Sequence, residues 1–480
     1  MSAATTQTNA SKRQKVRASM NATPTAKPTI NHDRVLQEIT DALKQVDFSK
    51  LAKVGAGKQV SVTDYIVVSI REILGVAIKL QCGLCKRFDF IYAFNGAYWR
   101  EIPKETLTKF LGEAAKKLSV PEIKAEHWQF RDSLLKQFLS TAYLPEPMRP
   151  DGVTLINFQN GTLEISATGW NLREHRREDF LTYQLPFDYD ENALAPTWQA
   201  FLDKVLLDKT CQKVLAEYIG YCFTRGLKLE KVLLLHGFGA NGKSVFCDVV
   251  SAVLGDENIS HYSLSSLSEP NGYFRARLAN KLLNYGSELD ARLQTDSFKQ
   301  LASGERIQAR LPYGQPFELR DYAKLAFNCN ELPKDVEHSE AYFRRFLVIP
   351  FEVTIPEDER DAELAGKIIA DELSGVLVWV LDGLRRLLDQ RKFTASDAAK
   401  KAIEAYRRES DSVALFVEEE SYIADADSSI PLKQLYTDYR NYCIEAGFKS
   451  LGRGKFGARL RANNILMEKK RTGFEVYLCK

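Results

Sequence analysis

Long apolar runs are missing from this 480-residue chain. No stretch of about 18 apolar residues occurs, so no membrane-spanning helix is expected. The first residues carry no apolar signal core, and secretion is not expected either. Clustered metal-ligand cysteines are also missing. The eight cysteines are scattered, and only Cys82-Gly-Leu-Cys85 forms a pair. No second pair or histidine cluster lies near it to complete a zinc site, so reduced thiols in a cytosolic protein, and no structural metal, are the expectation. An excess of one charge is missing too: 66 Lys+Arg against 63 Asp+Glu leave a net +3. Overall balance therefore says nothing about nucleic acid, and local distribution has to decide. One segment lacks acid altogether. Residues 1–30 are rich in Ala, Thr, Ser and Asn and carry Lys12, Arg13, Lys15, Arg17 and Lys27. Such a stretch cannot bury a core and reads as a disordered basic tail. It also imitates a transit peptide, and Lys12-Arg-Gln-Lys15 a nuclear signal. A solvated tail that adds non-specific affinity for nucleic acid is the simpler reading.

With 45% hydrophobic and 27% charged residues, the chain has an ordinary soluble composition and length for roughly two to four domains. Its most informative stretch begins at Lys231. Val232 to Leu235 is an apolar run without polar alternation, as in a buried parallel strand. Gly237-Phe-Gly239-Ala240-Asn241-Gly242-Lys243-Ser244 follows and fits G-x-x-x-x-G-K-[ST] without mismatch. Val245, Val249, Val250, Val253 and Leu254 then recur at helical spacing, with Gly255 as a C-cap. Strand, glycine loop and helix form the context that this pattern requires. Glycines let backbone N–H groups turn inward around phosphates, and the helix start adds favourable dipole. Lys243 is placed to reach the β/γ-phosphates and Ser244 to hold Mg²⁺. ATP and Mg²⁺ are the expected cofactors.

Upstream, residues from His32 to about Leu144 are mostly helical in pattern, with a hairpin at Asn95-Gly96 and helix again from Arg100 to Lys117. A second hairpin surrounds Asn160-Gly161, and residues 186–198 read as a linker. Downstream, Lys281-Leu-Leu-Asn-Tyr-Gly-Ser-Glu288 is an apolar strand that ends in a carboxylate 45 residues after Lys243. Glu288 is the candidate for Mg²⁺ and the attacking water, with Asp290 as a weaker helper. A third strand ends at Asn330, suited to orient water or sense a γ-phosphate; the alternative is a turn cap. Arg344 and Arg345 stand just before a fourth strand, where an arginine can stabilise a transferring phosphoryl group, in trans if subunits adjoin.

These pieces together resemble superfamily 3 helicases, and more closely the helicase half of phage, plasmid and poxvirus primase-helicases. The matching pieces are Asn160-Gly161-Thr-Leu-Glu-Ile165, Tyr189-Asp-Glu-Asn-Ala193, Gly239 to Ser244, Glu288-Leu, Phe298-Lys-Gln-Leu-Ala-Ser-Gly-Glu305, Asn330-Glu-Leu-Pro333 and Phe343-Arg-Arg-Phe-Leu-Val-Ile-Pro-Phe351. The resemblance implies an α/β AAA+-like core assembled as a ring, usually a hexamer, that draws one DNA strand through its pore 3′ to 5′. It implies a sensor at Asn330 and an arginine finger at Arg344 or Arg345, with Arg345 favoured. It also implies a pore hairpin touching DNA, where Lys299, Arg306, Arg310 and Tyr313 fall, with Pro312 to Pro316 as its tip. Relatives often carry two acids at the second motif, whereas here Ser287 precedes Glu288. Residues 32–150 are short for a primase and lack its metal-binding acids, so any primase is a separate partner. A phage or plasmid origin would place the protein in a bacterial cytoplasm.

From Val413 the pattern resembles a winged helix. One helix runs through Leu432 to Ala446; a second, Gly454 to Arg461, carries Lys455, Arg459 and Arg461; and a hairpin turns at Lys469-Lys470-Arg471-Thr-Gly473. From Lys449 onward there are nine basic residues and two acids, a phosphate-binding footprint. The expected division is a tail (1–30), an N-terminal α+β domain (31–190), a helical collar (191–225), an ATPase domain (226–390) and a winged-helix DNA-binding domain (391–480). The expected function is an ATP-dependent DNA helicase in replication of a mobile element or virus. Its rivals are an ATP-switched replication initiator that does not unwind, and a small-molecule kinase.

Overall fold

The computed structural model describes residues 31–480, apart from 56, 88–89, 145–151, 168, 287–294, 331, 334–335, 472 and the side chain of Thr295. The tail 1–30 and the acids Glu288 and Asp290 lie outside the described residues.

Five apolar strands build the centre. Across the sheet they run Phe346–Pro350, Val232–His236, Lys324–Cys329, Leu283–Gly286 and Ile259–Ser260, and every neighbouring pair is parallel. Numbered by place in the chain, that order is 5-1-4-3-2. Val232–His236 lacks polar alternation because both its faces are covered. Leu233 and Leu235 join one core with helices Lys209–Tyr221 and Leu373–Gln390, while Val232 and Leu234 join another with Phe298, Phe327 and Phe346. Parallel strands bring their C-terminal ends to one edge, where such sheets form ligand crevices.

Helix Leu373–Gln390 lies close along helix Lys209–Tyr221 because two glycines permit it. A Cβ on Gly220 would stand 2.7 Å from Leu384 Cβ, and one on Gly383 would run into the Ala216–Glu217 backbone. Between Ala362 and Gln390 the apolar spacing, with Leu373, Leu377, Val380, Leu381, Leu384 and Leu388 on one face, reads as one long helical stretch, and the chain forms two helices there, Leu364–Asp371 and Leu373–Gln390. The break falls at Glu372, whose buried carboxylate accepts from the N–H groups of Thr197 and Trp198 at 3.0 and 2.9 Å. It thereby satisfies donors at the start of helix Pro196–Val205.

Ahead of the sheet, helices Val35–Ala42, Val62–Lys79, Lys104–Lys117 and Trp128–Thr141 enclose a core of their own. The hairpin at Asn95-Gly96 joins Phe90–Phe94 to Trp99–Glu101. Gly96 takes φ 101°, and Asn95 Oδ1 accepts from the N–H groups of Ala97 and Tyr98. Residues Trp99–Glu101 stay in this sheet, so the helix expected from Arg100 starts at Lys104. A third strand, Gly83–Arg87, has no alternation to mark it and forms by pairing with Phe90–Phe94. The second hairpin joins Thr154–Phe158 to Gly161–Ser166 and gains Gly169–Arg173. Asn160 hydrogen-bonds both the N–H and the carbonyl of Tyr189, pinning the linker.

At the C-terminal end, helices Ser412–Glu419, Leu432–Glu445 and Arg453–Ala462 meet around Phe416, Tyr439 and Phe456. The hairpin Met467–Lys470 with Gly473–Val476 follows, and Ile430–Pro431 adds a third strand. Among the described residues, no helix is long and apolar enough to cross a membrane.

Candidate functional site

The loop after Val232–His236 sits at the C-terminal edge of the sheet and runs into helix Lys243–Leu254. Its shape depends on glycine at two points. Gly242 takes φ 85°, and a Cβ there would stand 2.9 Å from both Phe201 and Val205. A Cβ on Gly237 would collide with Asn241 Nδ2 and the Phe351 carbonyl. Asn241 Nδ2 donates to that carbonyl at 3.0 Å, and Ile355 N–H to the Ala240 carbonyl at 2.8 Å, so the loop is clamped from the far side.

Lys243 is 4% exposed. Its ammonium donates to the Gly237 carbonyl and, at 3.1 Å, to Asn241 Oδ1, both neutral acceptors. Burial holds it below the ordinary lysine pKa. Ser244 is exposed at the first turn of the helix. A cleft of about 590 Å³ opens over the loop, in the range of small-molecule sites. It is lined by Gly239, Ala240, Asn241, Gly242, Lys243, Ser244 and Val245 together with Asn328 and Asn330. Its opposite wall comes from Phe201 and Lys204 of helix Pro196–Val205 and from Glu359 to Asp361, and Lys204 pairs with Glu359 at 2.7 Å across it.

Asn328 and the far wall were not among the residues the motifs pointed to. Asn328 Oδ1 is buried without a hydrogen-bond partner, while the side chain bonds Tyr285. A polar residue inside the otherwise apolar strand Lys324–Cys329 is the signal that marks it. The far wall has no spacing signal, since it is brought in by a helix about 40 residues upstream of the loop lysine and a loop over 110 downstream. His236, at the strand end, hydrogen-bonds the backbone of Asn330, tying the loop strand to the sensor candidate; burial lowers its pKa.

The two arginines lie at the other edge. Phe346 pairs with Val232 at the start of the strands, so Arg344 and Arg345 precede the sheet by one or two residues. Five strand residues separate them from the glycine loop of their own chain, about 16 Å. Arg345, favoured from sequence as the finger, is 7% exposed and bonds Ser303 Oγ at 3.0 Å, the Ala341 carbonyl and Glu230. Arg344 is the exposed member, paired with Glu230 at 3.1 Å.

The expected hairpin exists, as Ile307–Ala309 against Phe317–Leu319. Tyr313 stands fully exposed at its tip, with φ 61°. Arg306 is exposed near its base, 3.8 Å from Glu318. Two of its neighbours are engaged within the chain, one by a carboxylate and one by neutral groups. Lys299 is held by both oxygens of Glu337 at 2.9 Å, and Arg310 lies over the Tyr273 ring and donates to its hydroxyl. In the C-terminal unit, Lys455, Arg461, Lys469, Lys470 and Arg471 are exposed. Arg459 is engaged inside the chain: it bonds Asp411 at 2.7 Å and His338 Nδ1, fixing this unit to the segment that precedes Arg344.

Two family descriptions match the chain: "D5 N terminal like" over residues 82–207, and "Family of unknown function (DUF5906)" over residues 235–345. The second interval contains the glycine loop, Asn330 and both arginines. The chain is 25% identical over 235 residues to the protein named "Putative helicase L207/L206" of Acanthamoeba polyphaga mimivirus. It is 23% identical over 332 residues to "Putative helicase 121R" of Invertebrate iridescent virus 3. These alignments take in 46% and 61% of this chain but 24% and 35% of those proteins, so the chain spans a quarter to a third of the relatives it matches. The apo structure of the NrS-1 C-terminal region (305-718) shares the fold, with a TM-score of 0.50 and 13% identity over 85% of this chain and 98% of that one. The chain is thus similar in part to a D5-type N-terminal description and to viral proteins that carry the name putative helicase.

Proposed function

We propose that this chain is an ATP-hydrolysing helicase motor that works as a ring, with a hexamer moving 3′ to 5′ on DNA as its expected form. One observation carries the reading. At the C-terminal edge of a 5-1-4-3-2 parallel sheet, a glycine-shaped loop presents a buried lysine to a cleft in which its acceptors are neutral. A bound triphosphate would supply the anion that Lys243 lacks, and backbone N–H groups at the start of helix Lys243–Leu254 would face it. The loop keeps this shape only with glycine at two points, since a Cβ at Gly237 would collide with Asn241 and the Phe351 carbonyl and one at Gly242 with Phe201 and Val205. Mg²⁺ held by Ser244 and Glu288 would offset phosphate charge. Asn328, whose buried oxygen lacks a partner, is a better-formed candidate than Asn330 alone for orienting water, and the two act as a pair at the strand end.

Arg344 serves as the finger in trans. Its own cleft lies about 16 Å away along the strand, whereas its exposed guanidinium faces outward, toward a neighbouring copy. Tyr313 at the hairpin tip meets the single strand, and the three-helix unit with its hairpin acts as a winged helix that grips duplex through Lys455, Arg461, Lys469, Lys470 and Arg471. A separate primase would supply primers.

The test is ATP hydrolysis with and without single-stranded DNA, for the natural chain and for Lys243→Ala. Stimulation by DNA in the first, and loss of turnover with retained DNA binding in the second, is the expected result. Equal hydrolysis by both proteins would end the assignment of this cleft.

A further inference from the structure

A second cleft, which shares no lining residue with the one over the glycine loop, lies against Ile259–Ser260, the edge strand of the central sheet. It encloses about 780 Å³, within the range of small-molecule sites. Its other wall is the N-terminal sheet, through strands Phe90–Phe94 and Trp99–Glu101. Asn280 Nδ2 donates to the Tyr92 hydroxyl at 2.9 Å across this junction. No glycine lines the cleft, so it is not a second glycine-shaped phosphate loop, and an anion there is met by side chains.

Five charged side chains line it, and the chain already uses part of that set. Arg100 is shared between Asp33 at 3.3 Å and Glu257 at 3.8 Å. Arg277, Lys281 and Glu101 remain. Arg277 is exposed and makes no ion pair or side-chain hydrogen bond among the described residues. Lys281 donates to the Glu257 carbonyl, a neutral acceptor, and burial lowers its pKa although Glu257 and Glu101 oppose it. Both cations act on the Glu101 carboxylate, yet neither forms an ion pair with it. Among the uncharged polar groups, Asn258, Ser260, His261 and Asn280 are hydrogen-bonded within the chain, whereas Thr182 Oγ1 has no partner. Tyr98 and Tyr262, both half-buried, add flat apolar surface beside the charges.

The groups left over complement a flat ring, a hydrogen-bond donor and an anionic group, the parts of a nucleotide. We propose that this cleft is a second nucleotide site, separate from the hydrolytic one, for a free nucleotide with an amino-bearing base. The base lies against Tyr98 and Tyr262, its exocyclic amine donates to Glu101, and Arg277 and Lys281 receive the phosphate nearest the sugar. Uracil carries a carbonyl where cytosine carries that amine, so a carboxylate there disfavours it. A nucleotide held this way joins the N-terminal sheet to the edge of the central one.

The experiment is equilibrium dialysis of labelled AMP and UMP against the full chain and against Lys243→Ala, Arg277→Gln and Glu101→Leu. The natural chain is expected to bind AMP at one site, about tenfold more tightly than UMP, as one hydrogen bond to a charged acceptor allows. Lys243→Ala keeps this binding while losing ATP turnover, which separates the two sites. Arg277→Gln weakens AMP binding about tenfold, and Glu101→Leu brings AMP and UMP to the same affinity. Both substituted side chains are exposed, and thermal unfolding without ligand reports whether the variants fold. If they do not, the preference for AMP over UMP in the Lys243→Ala chain still decides. Loss of AMP binding in Lys243→Ala would return AMP to the glycine-loop cleft and overturn the second site, with the motor proposal untouched. Equal affinity of the natural chain for AMP and UMP, no AMP binding at about 1 mM, or displacement of AMP by an oligo-dA strand would overturn it as well.

Discussion

Lys243 and Arg459 are both cations drawn into the interior, and they differ in what receives them. Lys243 donates to a backbone carbonyl and an amide oxygen, and its pKa falls with burial. Arg459 meets the carboxylate of Asp411, which is 5% exposed and which the guanidinium, together with hydrogen bonds, holds below the usual carboxylate pKa even though burial pushes the other way. A cation received by neutral groups has charge left for a ligand. One already neutralised by a carboxylate is part of the frame. Exposure, and not the acceptor, separates Arg344 from Arg345, since both meet Glu230, whereas Lys299 falls with Arg459 because the Glu337 carboxylate receives it.

The comparison breaks first at Lys243. Lys243→Ala is expected to lower ATP turnover more than about a thousandfold while thermal unfolding stays close to natural. A small kinetic effect with a large loss of stability would make this lysine a frame residue as well. Next in size is the arginine pair. Arg344→Ala should cost about a hundredfold in turnover, restored in part by mixing with Lys243→Ala chains, because the shared interface then has one intact set. Arg345→Ala should instead lower stability by about 2 kcal/mol, through unpaired Ser303 and Ala341 partners. No recovery at any mixing ratio would show that Arg344 does not act between subunits.

Arg459→Ala leaves Asp411 buried and unpaired and is expected to cost about 3 kcal/mol in denaturant unfolding, whereas Lys455→Ala changes stability by less than about 0.5 and weakens duplex binding a few-fold. The smallest effect concerns protons. Lys243 has a free-state pKa below 10.5, and a bound phosphate raises it, so nucleotide binding takes up a proton as pH approaches that lowered value. Affinity for ATP is then full at lower pH and falls as pH rises through it. Calorimetry in buffers of different ionisation heat should show that uptake; pH-independent binding up to the ordinary lysine range would remove the neutral-acceptor argument.

What could be seen in the chain beforehand follows from the same physics. The glycine loop was legible because φ values near 85° and the absence of a Cβ are requirements of one backbone shape, written as glycine at fixed spacing. Both Asn-Gly hairpins were legible for the same reason. Basic residues carry no such constraint. Lys299, Arg310, Arg345 and Arg459 look no different in sequence from Lys455 or Arg344, since their partners Glu337, Tyr273, Ser303 and Asp411 are set by packing between distant segments. The break at Glu372 was hidden in a continuous helical pattern, because the helix it caps begins 176 residues earlier, at Pro196.

The most direct test of the account is strand displacement on a forked duplex, with ATP against a non-hydrolysable analogue. ATP-dependent unwinding that needs a 3′ single-stranded tail, lost in Lys243→Ala and Arg344→Ala alike, is the predicted result. Hydrolysis stimulated by DNA without any displacement would contradict the motor and point to a nucleotide-switched DNA-binding initiator.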